Sequence, residues 1–217
     1  MGEAELQPHK NLLVIHAELI FYGDAANAML SFQIAKDIED HWNETRGTVR
    51  ISQHRYYVSF NIKGMYNSSL TPFEVYENTN PRNNYFRIEE YAKGNISFVD
   101  GINSNTGYFK LENLLNNSTT AAHEFGHTLG LHHPHRLDIR GKGTPGIMYP
   151  RGTLVDPEFQ YYPDVATNEK GGTLNPFTRR VLQNDIDDLH LGRLDFDESG
   201  FAIVGDFTSV WHEKHLP

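Results

Sequence analysis

The distribution of apolar and polar positions divides the chain into a front half rich in strand signals and a back half built around two helical patterns. Asn11 to Tyr22 is dense in β-formers and closes at Gly23-Asp24, a turn signal, so it reads as a core strand. From Ala25 to Glu44 the apolar residues Met29, Phe32, Ile34, Ala35, Ile38 and Trp42 recur at helical intervals, with Lys36, Asp37, Glu39 and Asp40 between them. A long amphipathic helix is predicted there. Thr48 to Ser52 and Arg55 to Ile62 are β-prone, and the turn-rich interval from Asn67 to Asn84, with Pro72 and Pro81, reads as a surface loop. Tyr85 to Tyr91, Ile96 to Val99 and Gly107 to Leu111 complete the strand candidates. A helix follows from about Ser118 to Gly130, then a Gly/Pro-rich segment to about Pro176, and a last helix from about Phe177 to Leu191. There is no internal repeat and no low-complexity tract.

A strand, a helix and several further strands imply an α/β (α+β) fold with a twisted mixed sheet. At 217 residues a single domain is expected. Its division is an upper lobe over about residues 11–131, a smaller lower lobe over about 132–191, and a C-terminal extension over 192–217. A formal net charge of −9, with no basic stripe, argues against nucleic acid as a partner, since phosphate recognition needs a dense Lys/Arg surface. No apolar run approaches the roughly 18 residues needed to cross a bilayer, and the opening MGEAELQPHKN lacks the order of a signal peptide. Cysteine is absent, so any metal must be held by nitrogen and oxygen.

The chemistry concentrates in Ala121-Ala-His-Glu-Phe-Gly-His-Thr-Leu-Gly-Leu-His-His133. Residues four apart share a helix face, so His123 and His127 can direct both imidazoles at one point. Glu124, one residue along, sits beside that point, where it suits a base for a zinc-activated water. Gly130 can take the left-handed conformation that ends a helix, and the resulting turn can swing His133 back as a third ligand. A bare HExxH arises by chance and can mark nothing more than two surface histidines; Gly130 and His133 at the right spacing fix five positions and make chance agreement improbable. His132 is one residue off that spacing, and His135 lies beyond Pro134, so both read as solvent-facing or outlying. Zinc in such a site lowers the pKa of water to about 7, and a carboxylate in reach can take the proton as the water attacks a carbonyl. The pattern points to amide hydrolysis. Gly146-Ile-Met-Tyr-Pro150 follows some fifteen residues later. In isolation Met148 would be an ordinary core methionine; at this distance from the histidines it can form an apolar floor beneath them.

Together HEFGHTLGLHH and IMYP resemble the zinc helix and Met-turn of the metzincin endopeptidases, and their wording is most similar to the matrixin branch. Leu182-Gln-Asn-Asp-Ile-Asp-Asp-Leu189 resembles the acidic start of the matrixin C-terminal helix, so roughly residues 11–191 fit the family's order of elements. The resemblance implies a zincin-like fold with two helices and a mostly parallel sheet in the upper lobe, and a cleft between the lobes. It implies one catalytic zinc on His123, His127 and His133, Glu124 as general base, Met148 as the Met-turn residue, and Tyr149 with Pro150 in a specificity-pocket wall. It also implies a protein or peptide substrate held along an exposed edge strand, for which Ile96 to Val99 is the candidate, and a secreted location.

The chain departs from the matrixin pattern in several places. Pro150 is followed by Arg151-Gly152 where a Tyr is usual, and residues 154–176 form a longer connection whose Phe159, Tyr161 and Tyr162 are candidates to line the pocket. There is no latency cysteine and no evident structural-zinc loop. Asp195 to Gly200 partly resembles the opening of a Ca2+ loop, but the twelfth position is Asp206 rather than Glu, so a plain turn between strands is the stronger reading. Asn43, Asn67 and Asn95 stand in Asn-x-Ser/Thr sequons. Two other functions share these features: a protease-fold toxin component or docking module using the acidic tail after Gly192, and a hydrolase of a small amide or ester. An intact Glu124 speaks against the first, and a peptide digest separates the second. The sequence sets no oligomeric state.

Overall fold

A computed structural model of the chain describes residues 1–116 and 118–217. Strand β1 (Gly2–Gln7) leads into β2 (Leu12–Tyr22), helix α1 (Ala28–Glu44), β3 (Thr48–Ile51) and β4 (His54–Tyr66). A short helix α2 (Pro72–Tyr76) precedes β5 (Asn83–Glu89), β6 (Phe98–Val99) and β7 (Thr106–Lys110). Helix α3 (Thr120–Thr128) and, much later, α4 (Gln183–Asp188) precede a last strand, β8 (Phe201–Val204). The architecture is α+β around one curled mixed sheet, in the order β3-β4-β2-β5-β7-β6.

The centre of that sheet is parallel, through the pairings β4·β2, β2·β5 and β5·β7, whereas β3 and β6 join antiparallel at its two ends. Strand β2 is the spine. One edge pairs with β4 from Leu12 to Phe21; the other is shared, with β1 on Leu12 to His16 and β5 on Glu18 to Tyr22. β1 in turn pairs with β8, so the sheet forks, and the expectation of a mostly parallel sheet holds only for its centre.

Helix α1 begins where the Asn27 side chain accepts from the amide of Leu30 at 2.9 Å, and it lies on the sheet through Ile34, Ala35, Ile38 and Trp42. Met29 and Phe32, read from sequence as part of this apolar face, point outward and are 83% and 66% exposed. Close approach of α1 depends on Gly64, where a Cβ would stand 2.0 Å from the carbonyl oxygen of Ser31. The Asn43 side chain donates to and accepts from the backbone of Phe60 at 2.9 and 2.8 Å, so this sequon amide is committed to the fold. Trp42 ties the helix layer together. Its indole N–H donates to Ala122 O at 3.1 Å, and its ring meets Phe125 of α3 edge-on at 6.0 Å.

Four elements differ from the sequence reading. β1 and β8 pair although residues 1–10 gave no strand signal and 192–217 read as an extension. Small Gly2 and Ala4 fill the buried positions of β1, so no hydrophobic alternation advertises it. The supposed loop over 67–84 contains α2, opened by a capping box in which Thr71 and Glu74 bond each other's backbone amides. The last helix is six residues long. Before it, Arg179 is extended and Arg180 bridges to Gly146, and winding begins only where the Asp185 carboxylate accepts from Leu182 N at 2.7 Å. Residues 195–200 do form the turn into β8, with Asp197 Oδ1 accepting from the amides of Ser199 and Phe201.

The tail beyond β8 packs back onto the molecule. Trp211 stacks on Tyr22 at 4.6 Å, His212 Nε2 lies 2.9 Å from Asp100, and His215 stacks on Tyr108 at 3.9 Å. No helix is long and apolar enough to cross a membrane among the described residues.

Candidate metal centre

Helix α3 carries His123, Glu124 and His127, and its end determines the position of the third histidine. Gly130 adopts φ +104°, its amide donates to His127 O at 3.1 Å, and Leu131 N donates to Gly126 O at 3.0 Å. That pair of bonds is a Schellman ending, which reverses the chain within one turn. It brings His133 back across the helix face.

The three Nε2 atoms converge. His133 Nε2 lies 3.0 Å from His123 Nε2 and 3.2 Å from His127 Nε2. Nitrogens each about 2.0–2.1 Å from a tetrahedral zinc stand about 3.3 Å apart, so the donor set fits that ion. Among the described residues this is the group of His, Asp and Glu side chains whose ligand atoms fall within 4.8 Å of one another. The rings are oriented from behind: His123 Nδ1 is 2.7 Å from Ile147 O and His127 Nδ1 is 2.7 Å from Leu131 O. A proton held on Nδ1 by a carbonyl leaves Nε2 as the free lone pair.

Electrostatics favour neutral rings. Burial, then the Arg179 charge, hold His123 well below the usual imidazole range; burial takes His127 down to about 4 and lowers His133 as well. At neutral pH no proton has to leave before a metal binds. Glu124 is 7% exposed. Burial pushes its carboxyl up to about 8, against the pull of Arg179 and of the Val99 amide.

The second motif reaches the same place. Ile147 supplies the carbonyl that orients His123, and Met148, 2% exposed, lies against α3 at Gly126, between the two helix histidines. Asp185 fixes this turn from below, its carboxylate 3.4 Å from Ile147 N and its pKa raised to about 6 by burial. Pro150 borders the cavity beside His123, whereas Tyr149 packs away with Ile139, Val155 and Leu174. Of the three aromatic residues considered for the pocket, none borders this cavity: Phe159 joins the cluster around Val155, Tyr162 covers Gly171, and Tyr161 is 39% exposed. His132 and His135 are exposed and outside the trio, along a larger cavity on the other side.

Two cavities flank the histidines under β6. The smaller, about 160 Å³, runs between Ser97, Thr120, Pro150 and Arg179. The larger, about 520 Å³, follows Ile96 to Val99 past His127 and His132. β6 is the last strand of the sheet, as expected for the edge over the cleft, although it is ordered as a strand only at Phe98 and Val99.

Arg179 lies within the span that the sequence assigns to the final helix, where nothing in its spacing sets it apart. It is 5% exposed. Nε donates to Thr119 Oγ1 at 2.9 Å and Nη1 to Tyr149 O at 3.1 Å. Nη1 also lies 2.9 Å from His123 Nδ1, which cannot accept while its proton points at Ile147 O, so that approach is packing. The Thr-Arg-Arg context gives no periodicity by which to single it out.

No protein-family profile matches the chain, and no curated protein matches it in sequence. Among solved structures the chain is similar to the crystal structure of an archaemetzincin from Methanopyrus kandleri. Identity is 18% and the TM-score 0.34, over 62% of this chain and 83% of that one. None of these comparisons places the chain in the matrixin branch that the motif wording resembles. A likeness of this degree leaves the functional reading to the residues themselves.

Proposed function

We propose that the protein is a zinc-dependent endopeptidase, with His123, His127 and His133 as metal ligands and Glu124 as general base. The observation that carries the reading is the convergence of three neutral imidazole nitrogens at 3.0 and 3.2 Å beside a buried carboxyl. Zinc held by the three histidines would supply Lewis acidity at the cleft. Glu124 would take a proton from the attacking water and return it to the leaving amine; burial alone holds its carboxyl up at about 8, and a cation on the histidines would bring it down into the range of a base. The open side of β6 provides backbone groups along which an extended peptide can pair. Val99 stands at the junction, since its backbone amide helps to draw the Glu124 carboxyl down.

The test pairs metal analysis of the purified protein with mass-spectrometric mapping of cuts in a complex peptide library. About one zinc per chain and internal cuts are expected. Glu124→Gln should keep the metal and lose about 100- to 10,000-fold in kcat/KM. Undiminished hydrolysis in that variant sinks the assigned base; zinc without internal cuts limits the activity to small amides or to a docking role.

A further inference from the structure

Burying a cation without an anion is strongly unfavourable, and such a residue persists where an anion completes it. Arg179 is near that condition: Glu124 attracts it across the cavity, but no carboxylate reaches it as an ion pair among the described residues. It is nine-tenths buried, and the ion pairs of Arg82, Arg87, Arg140 and Arg180 leave it out. Nε and Nη1 are engaged with Thr119 and Tyr149, which fixes the plane of the guanidinium; Nη2 makes no hydrogen bond among the described residues. The side chain borders the 160 Å³ cavity that also touches His123 and Glu124, so whatever fills this cavity is next to the reacting bond. The rest of the lining mixes Asn95, Ser97, Asn113 and Thr120 with the apolar Ile96 and Pro150, and the exposed Arg151 adds a second positive charge.

We propose that Arg179 is the specificity-determining residue of the cleft, binding the carboxylate of an Asp or Glu side chain that flanks the scissile bond. This rests on the endopeptidase reading and narrows it. A guanidinium held in plane by two bonds presents its remaining nitrogen, Nη2, as a fixed charge-assisted donor to a carboxylate oxygen. A neutral isostere leaves that charge buried and unpaired, which is where discrimination arises. The cavity is of side-chain size and opens off the cleft, so the carboxylate enters as a side chain while the main chain runs on along β6.

The experiment uses the zinc-loaded full chain and matched peptides differing only in Glu, Gln or Leu at each position beside a mapped cut. Glu is expected to exceed Gln by about 10- to 100-fold in kcat/KM at one of the two flanking positions. Arg179→Gln should bring that ratio near one, and Arg179→Lys should keep part of it. Because Arg179 also holds Thr119 and Tyr149, the wild-type ratio alone decides the matter if the variants do not fold. Equal rates for Glu and Gln, or preference for Leu, overturn the assignment while leaving the endopeptidase reading standing. Cleavage only beside a free C-terminal carboxylate overturns the side-chain assignment in favour of a main-chain one. No cleavage of any peptide overturns both readings.

Discussion

Gly126 sits on α3 between the two helix histidines, directly before His127, and a methyl group added there tests whether Met148 is a packed floor or a loose neighbour. A Cβ at Gly126 would lie 2.4 Å from Met148 Sδ, 3.2 Å from its Cε and 3.3 Å from Trp42 Cζ2. Met148 is 2% exposed and Trp42 fully buried, so the thioether has little free space to move into. Overpacking of this kind costs about 1–3 kcal/mol, and replacing Gly by Ala inside a helix returns about 1 kcal/mol. Gly126→Ala should therefore destabilise by about 1 kcal/mol. Met148→Ala alone should lose about 2–5 kcal/mol through the cavity it leaves. In that background the clash is gone, so Gly126→Ala should become neutral or stabilising by up to about 1 kcal/mol, a coupling of about 1–2 kcal/mol. Urea unfolding of the four proteins of the cycle, with a common m-value, measures it. Because His123 and His127 flank Gly126 on the same helix, the single variant should also bind zinc more weakly. A coupling below about 0.5 kcal/mol, with unchanged zinc affinity, would refute a packed contact between Met148 and the ligand helix.

Three other outcomes follow from the same geometry. Zinc that binds only the folded chain should raise its stability by about 2.7 kcal/mol at a hundredfold excess over Kd; a melting temperature unmoved by chelator would show that the histidines do not close on a metal. Asp185 has a folded pKa near 6 against an ordinary 3.8, so the folded state holds the extra proton between those values. Stability should therefore fall by up to about 3 kcal/mol as pH rises from about 4 to above 6, and Asp185→Asn should flatten that slope in urea midpoints taken across the range. Ending the chain after Val210 removes the stacking of Trp211 on Tyr22 and of His215 on Tyr108 and Phe98. The loss should be about 1–3 kcal/mol, and KM for peptides should rise more than kcat falls, because Phe98 of the edge strand loses its support; an unchanged KM would separate the tail from the cleft.

Local signals were legible where one stretch of chain carries its own geometry. The i, i+4 histidines, the left-handed Gly130 and the returning His133 lie within eleven residues, so spacing alone brings the ligands together. β2 and α1 were readable within three residues at each end because their patterns are long, although the helix face was drawn too wide: Met29 and Phe32 obey the spacing but stand at its solvent margin. The capping box at Thr71 and Glu74 was equally local, and it was hidden by Pro72, which breaks a helix in its interior but suits the first turn.

What the sequence did not disclose depends on partners far away along the chain. β1 is a strand because β2 and β8 offer it two edges about 10 and 200 residues away. The tail is ordered because Tyr22, Asp100 and Tyr108 form a surface for Trp211, His212 and His215. Arg179 belongs to the same class. Its neighbours are Thr119 at the N-cap of α3, His123 within that helix and Tyr149 in the turn after Met148, two segments distant from it along the chain, and only the assembled fold turns an arginine in an unremarkable run into a buried charge facing the cleft. The histidine spacing can thus indicate a zinc chemistry shared by many hydrolases, whereas the side chains that line the cavity beside the histidines come together through long-range contacts that no short motif contains.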